Sequence, residues 1–206
     1  MRLVLLGKPL SGKGTQARFL SQKIKIPTFS LGDILRKECK NKTVLWKKIE
    51  PNITKGKLVS DMIILPLLQE YLPKKNFILD GYPRNTAQAK KLDRFCSLDL
   101  VIDIHCSNGI ILRRIRARET CLHCGRIYGL DIPPKKKGIC DFCKKKLVHR
   151  TDDTLKTVKK RLQVYTKETK PLIQFYQKKD IYFKVNGGWN IALIQKRILR
   201  KIESIK

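Results

Sequence analysis

Residues 7–14 read Gly7-Lys8-Pro9-Leu10-Ser11-Gly12-Lys13-Gly14, directly behind the apolar run Leu3-Val4-Leu5-Leu6 and ahead of Thr15-Gln16-Ala17-Arg18-Phe19-Leu20. The short apolar run reads as a strand buried on both faces, and the stretch after the loop reads as a helix. A glycine-bounded turn between such a strand and helix converges backbone N–H groups on an anion at the positive end of the helix. Lys13 supplies mobile charge for the outer phosphates of a triphosphate. This placement predicts a phosphate-cradling loop in an α/β fold, with Leu10, Ser11, Gly12, Lys13, Gly14 and Thr15 as its candidate binding residues.

The α/β alternation continues along the chain. Arg2–Leu6, Pro27–Phe29, Phe77–Leu79, Leu100–Ile104 and Ile181–Val185 predict a central five-stranded parallel sheet. Lys13–Lys23, Gly32–Cys39, Asp61–Tyr71, Thr86–Phe95, Asn108–Arg118, Thr154–Tyr165, Pro171–Lys178 and Ile191–Ile202 predict the helices of a three-layer fold around it. Two segments break the pattern. Residues 30 to about 60 are helical with little strand character, and residues 121–143 are rich in Cys, Gly, Pro and Lys. Both read as inserts over the carboxyl edge of the sheet, where ligands bind.

A length of 206 residues suits one core with small inserts. No run approaches the ~18 apolar residues of a membrane span. Met1-Arg2 leads straight into the first strand, so no leader and a cytoplasmic location are expected. The net charge of +29 comes from 46 basic against 17 acidic residues, mostly lysines scattered along the chain, and aromatics are only 7%. That dispersion reads as compositional bias, although such a field steers polyanions inward and makes their binding salt-sensitive.

Cys121-x-x-Cys124 and Cys140-x-x-Cys143 stand 15 residues apart. One such pair alone admits a redox reading; two in one insert have the spacing of a four-thiolate tetrahedral zinc site. With all four ligands from protein, the metal is structural. Cys39, Cys96 and Cys106 read as ordinary semi-buried thiols, and His123 and His149 as surface histidines.

Asp80-Gly81-Tyr82-Pro83-Arg84 follows the strand Phe77-Ile78-Leu79. Alone, Asp80 reads equally as a helix cap. Behind a phosphate loop, it is placed to hold the hydration shell of Mg²⁺, with Arg84 clamping a phosphate.

With these motifs in order, the chain resembles adenylate kinases of the nucleoside monophosphate kinase family, of the bacterial type with a zinc-bearing lid. The resemblance spans essentially all of it. It rests on residues 7–16, Ser-Leu-Gly-Asp-Ile-Leu-Arg (30–36), Gly-Lys-Leu-Val-Ser-Asp (56–61), Asp-Gly-Tyr-Pro-Arg (80–84) with Gln88, and the cysteine insert closed by Arg150-Thr-Asp-Asp153. It implies a core (1–29, 60–116 and 154–206), a monophosphate-binding insert (30–59) and a lid (117–153). It also implies a monomer that transfers the γ-phosphoryl of Mg·ATP reversibly to AMP, giving two ADP. Lys13 and Arg84, Arg114, Arg150 and Arg161 would be catalytic. Arg36, Arg84, Arg150 and Arg161 would bind AMP and the transferring phosphate, and Arg114 and Arg118 the ATP phosphates. Ile127 and Tyr128 would lie by the ATP base and ribose, and the backbone carbonyl at Trp189 would read the ATP adenine. Lys57, Leu58, Val59 and Gln88 would read the AMP base, beside Leu31, Gly81, Tyr82 and Pro83.

The residue chemistry agrees. Phosphoryl transfer needs positioning and charge neutralisation more than acid–base groups. Arginine holds these positions in a lysine-rich chain, as bidentate phosphate forks require. Three positions depart from the family pattern: Leu10 replaces a loop glycine, Leu31 a hydroxyl residue, and Asn186-Gly187-Gly188-Trp189 the usual Asp-Gly. Two competing readings carry their own expectations. A UMP or CMP kinase would turn over another acceptor faster than AMP. A zinc-ribbon nucleic-acid binder would bind with steep salt dependence, but it leaves Asp80–Arg84 and the ordered arginines without a role.

Overall fold

The computed structural model describes residues 1–73 and 75–205. β1 (Arg2–Leu6) lies at the centre of the sheet. It pairs in parallel with β3 (Phe77–Asp80) on one side and β4 (Leu100–His105) on the other, Leu3 level with Ile78 and Leu100. β2 (Thr28–Ser30) and β8 (Tyr182–Asn186) complete the parallel order β2-β3-β1-β4-β8. The five expected strands are all present, with ends displaced by no more than one residue.

Strand periodicity divides the core into two layers. Val4, Leu6, Phe77, Leu79 and Val101 face one way, against Leu31 and Leu35 of α2 (Leu31–Lys40), Ile64 of α4 (Asp61–Tyr71), Leu92 of α5 (Thr86–Phe95) and Leu172 of α8 (Pro171–Gln177). Leu3, Leu5, Ile78, Leu100 and Ile102 face the other, against Ala17 and Leu20 of α1 (Lys13–Ile24) and Ile194, Ile198 and Ile202 of α9 (Ile191–Glu203). A third cluster joins Ile111 and Ile115 of α6 (Asn108–Ala117) to Val158 of α7 (Leu155–Val164), with Leu10 packed on it.

The helices differ from expectation in two places. The first insert carries a separate helix, α3 (Trp46–Thr54), which holds Pro51 inside it and buries only Ile49. Its short apolar face is a weak periodic signal. After α7 the chain runs on as a π-helical turn over Tyr165–Thr169, closed by Lys170 N–H donating to the Tyr165 carbonyl at 2.8 Å. Pro171 follows and has no N–H to offer, so the regular ladder cannot continue through this stretch.

The second insert is a small antiparallel sheet, β6-β5-β7, built from β5 (Glu119–Cys121), β6 (Ile127–Tyr128) and β7 (Leu147–Val148). Its buried centre is only Cys121, Tyr128, Cys140 and Leu147. Among the described residues, no helix is long and apolar enough to cross a membrane.

Candidate active site

The strand order reverses around β1, and a cleft opens at the carboxyl ends of the strands. The loop after β1 forms its floor. α1 starts on Gly12, held at φ 101 in the left-handed region, and no side chain caps the helix. The N–H groups of its first turn are thereby left for an anion. Leu10 also adopts the left-handed region, at φ 63, as the glycine it replaces would.

The Lys13 ammonium donates to the carbonyls of Gly7 (2.9 Å) and Lys8 (2.8 Å). Burial pushes its pKa down, with Asp80 the main opposing charge. Asp80 ends β3, and burial pushes its carboxyl up. Its Oδ2 lies 3.6 Å from where a Cβ on Gly14 would sit, so the acid faces the start of α1. A desolvated carboxylate beside a phosphate cradle suits Mg²⁺ held through water.

Six arginines converge above this floor; carboxylates hold five of them, and Arg84 Nε donates to the Gly81 carbonyl at 2.8 Å. Arg114 donates to Asp131 Oδ2 (2.9 Å), to Ser11 O (3.1 Å) and to Gly187 O (2.9 Å), tying the loop to the lid and to the β8–α9 turn. Arg118 forks onto Asp153, its Nε donating at 2.6 Å. Arg161 pairs with Asp152, and Arg36 lies 3.8 Å from the same carboxylate. Arg150 lies 3.7 Å from Asp33. Burial, then Arg161, pushes Arg84 down to about 10; burial, then Arg36 and Arg118, does the same to Arg150. Cations so crowded and desolvated create a strong demand for bound anions.

The opposite wall descends from the first insert. Leu31, Arg36 and the 57–59 segment face Gly81, Pro83, Arg84 and Gln88 across the cleft. Asn85 caps α5 by accepting from Gln88 N–H at 2.9 Å, which places the Gln88 side chain at the head of the helix.

In the lid, the four cysteine sulfurs lie within 4.8 Å of one another. Cys121 and Cys143 sulfurs are 3.3 Å apart, and those of Cys124 and Cys140 3.6 Å. These gaps are too long for disulfides and near the about 3.8 Å edge of a tetrahedron with Zn–S bonds of about 2.3 Å. Burial opposes ionisation of Cys140, yet N–H groups of Cys143 and Phe142 and the Tyr128 hydroxyl bring it down to about 6. The donor set fits a zinc ion.

A sequence model of the family described as adenylate kinase matches residues 5–181. An adenylate kinase of Clostridium novyi is 42% identical over the full length of both chains. One of Caldicellulosiruptor bescii is also 42% identical, across 98% of this chain and 99% of the relative, and one of Phytoplasma australiense is 42% identical across 99% of each. The chain belongs to the adenylate kinase family.

Most positions that the family resemblance singled out line the one cleft, from the Leu10–Thr15 loop through Leu31, Arg36, Lys57, Leu58, Val59, Asp80, Gly81, Pro83, Arg84 and Gln88 to Arg114, Arg118, Ile127, Tyr128, Arg150 and Arg161. Two do not. The Tyr82 ring is fully buried in the core, where its hydroxyl donates to the Gln88 carbonyl at 3.3 Å. The Trp189 side chain lies off the cleft, packed on the α1/α9 layer with the Arg197 guanidinium over its ring, so the ring takes no part and only the backbone carbonyl implied by the resemblance is left for a base. Gly187 lines the cleft instead, and a Cβ there would lie 2.6 Å from the Cys106 sulfur. The sequence reading assigned no role to Asp33 or Asp131, the carboxylates that engage Arg150 and Arg114. Asp33 also pairs with Arg36 one helical turn on, a local pairing that the spacing of residues 33 and 36 could have shown, whereas Arg150 and the Asp131–Arg114 pair are distant along the chain.

Proposed function

We propose that the chain is an adenylate kinase that moves the terminal phosphoryl of ATP to AMP, giving two ADP, and does so reversibly. The observation that carries this reading is the meeting, in one cleft, of an uncapped phosphate loop and an arginine cluster between two walls. One wall, of loop and lid, suits the donor triphosphate. The other, of insert and α5, suits the acceptor monophosphate.

A phosphate oxygen of AMP attacks the γ-phosphorus, the bond to the ADP leaving oxygen breaks in line, and charge spreads over the three equatorial oxygens. No group need accept a proton in the transfer itself. Lys13 exchanges its two carbonyl partners for phosphate oxygens, and the open N–H groups of α1 hold the phosphates of the donor. Arg84, Arg150 and Arg161 stabilise the charge that develops between the nucleotides, Arg36 holds the acceptor phosphate, and Arg114 and Arg118 hold the donor. Asp33, Asp131, Asp152 and Asp153 keep the arginines other than Arg84 aimed. Mg²⁺, held through water at Asp80, would neutralise charge on the donor phosphates. Ile127 and Tyr128 close the lid over the donor and exclude water that would otherwise take the phosphoryl group.

Zinc on Cys121, Cys124, Cys140 and Cys143 has a structural role in this reading, since no coordination position is left open. A monomer belongs to this reading through the family resemblance; small nucleotide substrates accord with work in the cytoplasm, away from any membrane.

A coupled assay tests the activity. Lys13→Ala is expected to lower kcat by about 10³-fold or more with little change in melting temperature, in line with losses on removing a transition-state charge. Near-normal turnover would refute the assigned loop. Faster turnover of CMP, GMP or UMP than of AMP would refute the acceptor.

A further inference from the structure

Gln88 is buried at the acceptor wall, and both ends of its amide are engaged. Arg84 N–H donates to its Oε1 at 2.8 Å, and its Nε2 donates to Asp61 Oδ1 at 2.6 Å. The Lys91 ammonium lies 2.7 Å from the other oxygen of Asp61. A backbone N–H can only donate and an ionised carboxylate can only accept, so these partners admit one orientation of the amide. One lone pair on Oε1 and one N–H on Nε2 remain for a ligand.

That pattern matters for base choice. Adenine offers an amino donor beside a ring-nitrogen acceptor, which a Gln amide matches with Oε1 and Nε2 respectively. Guanine offers a carbonyl acceptor beside a ring N–H donor, which the same amide matches only when flipped. An unrestrained glutamine can rotate to suit either edge. Here the flip would set Nε2 against the Arg84 N–H and Oε1 against the Asp61 carboxylate.

We propose that Asp61, anchored by Lys91, is a positioning residue that locks the Gln88 amide and so makes the acceptor site select adenine over guanine. The proposal rests on the reading of Gln88 as the contact to the acceptor base. Asp61 does not itself line the cleft; it acts through Gln88. Its place at the first position of α4, behind the Ser60 cap, keeps the carboxylate fixed.

The test compares kcat/KM for AMP with that for GMP, using ATP as donor, in the parent protein and three variants. In Asp61→Asn, Lys91 retains the amide oxygen of residue 61 and the amide NH₂ turns toward Gln88, which favours the flipped amide. The AMP-to-GMP ratio should fall by about fivefold or more, the low end for losing one bidentate base contact, mostly through KM for the acceptor. KM for ATP should not move. Asp61→Ser removes the clamp without presenting an amide donor, so its ratio should fall less, in the same direction. A partly unfolded variant loses both activities alike, so its ratio is unaffected.

Gln88→Ala separates the two ideas. A collapse of the ratio there, with unchanged ratios in both Asp61 variants, overturns the clamp alone. An unchanged ratio in Gln88→Ala overturns the base-reading role of Gln88, and the clamp with it.

Discussion

Leu10 shows what a single side chain costs and contributes. The left-handed backbone at φ 63 disfavours any L-residue other than Gly by about 1–2 kcal/mol. Leu10 offsets this by packing on the Ile111, Ile115 and Val158 cluster. Leu10→Ala keeps the strain and loses the contact, whereas Leu10→Gly loses both. Thermal unfolding should therefore find Leu10→Gly more stable than Leu10→Ala by about 1 kcal/mol, or about 2–4 °C in Tm for a chain of this size. Equal melts would remove the case for strain at this residue. The substitution was visible in the sequence as a departure from a glycine pattern, but the backbone conformation it imposes on Leu10 was not. Whether the loop keeps its glycine-like turn depends on the packing of α6 and α7, elements about a hundred residues or more away.

The lid is an element whose own residues cannot hold it together. Its buried centre amounts to two cysteines, Tyr128 and Leu147. Such a sheet needs a cross-link, and four thiolates around one zinc would supply it. Removing the metal should raise amide hydrogen exchange across residues 119–148 by about tenfold or more while β1, β3 and β4 keep their protection. Exchange that stays unchanged after verified metal removal would mean that the lid is held by protein contacts alone. The cysteine spacing was legible because metal geometry constrains local sequence tightly. The partners that dock the lid were not: Asp131 meets Arg114, and Arg18 donates to the Gly125 carbonyl at 2.7 Å. α3 was legible only as helical character over residues 30 to about 60, without its bounds, and the π turn at Tyr165–Thr169 was hidden. A short helix carrying Pro51, and a ladder change ahead of Pro171, leave weak periodic signals.

At the scale of the whole molecule, Asp152 joins separate elements. Just ahead of α7, it pairs with Arg161 of that helix and faces Arg36 of α2. Burial alone would raise its carboxyl pKa; Arg161, then Arg36 and Arg150, hold it below the usual 3.8. A depressed folded pKa contributes stability above the unfolded value, and that contribution fades as pH falls below about 3.8. Asp152→Asn should thus cost about 2–3 kcal/mol near neutral pH and progressively less as pH falls below about 3.8, as urea unfolding at several pH values would measure. A deficit independent of pH would mean that the pairing is not electrostatic. The strands, the phosphate loop, the four-cysteine cluster and the arginine positions follow from the sequence by itself, because each rests on local periodicity, spacing or residue chemistry. Only the tertiary structure decided that the Tyr82 and Trp189 side chains leave the cleft, that Gly187 enters it, that Asp131 meets Arg114, and that Asp152 meets Arg36. Those outcomes depend on which side chains meet across long separations in sequence, where packing and electrostatics act and no local pattern records them.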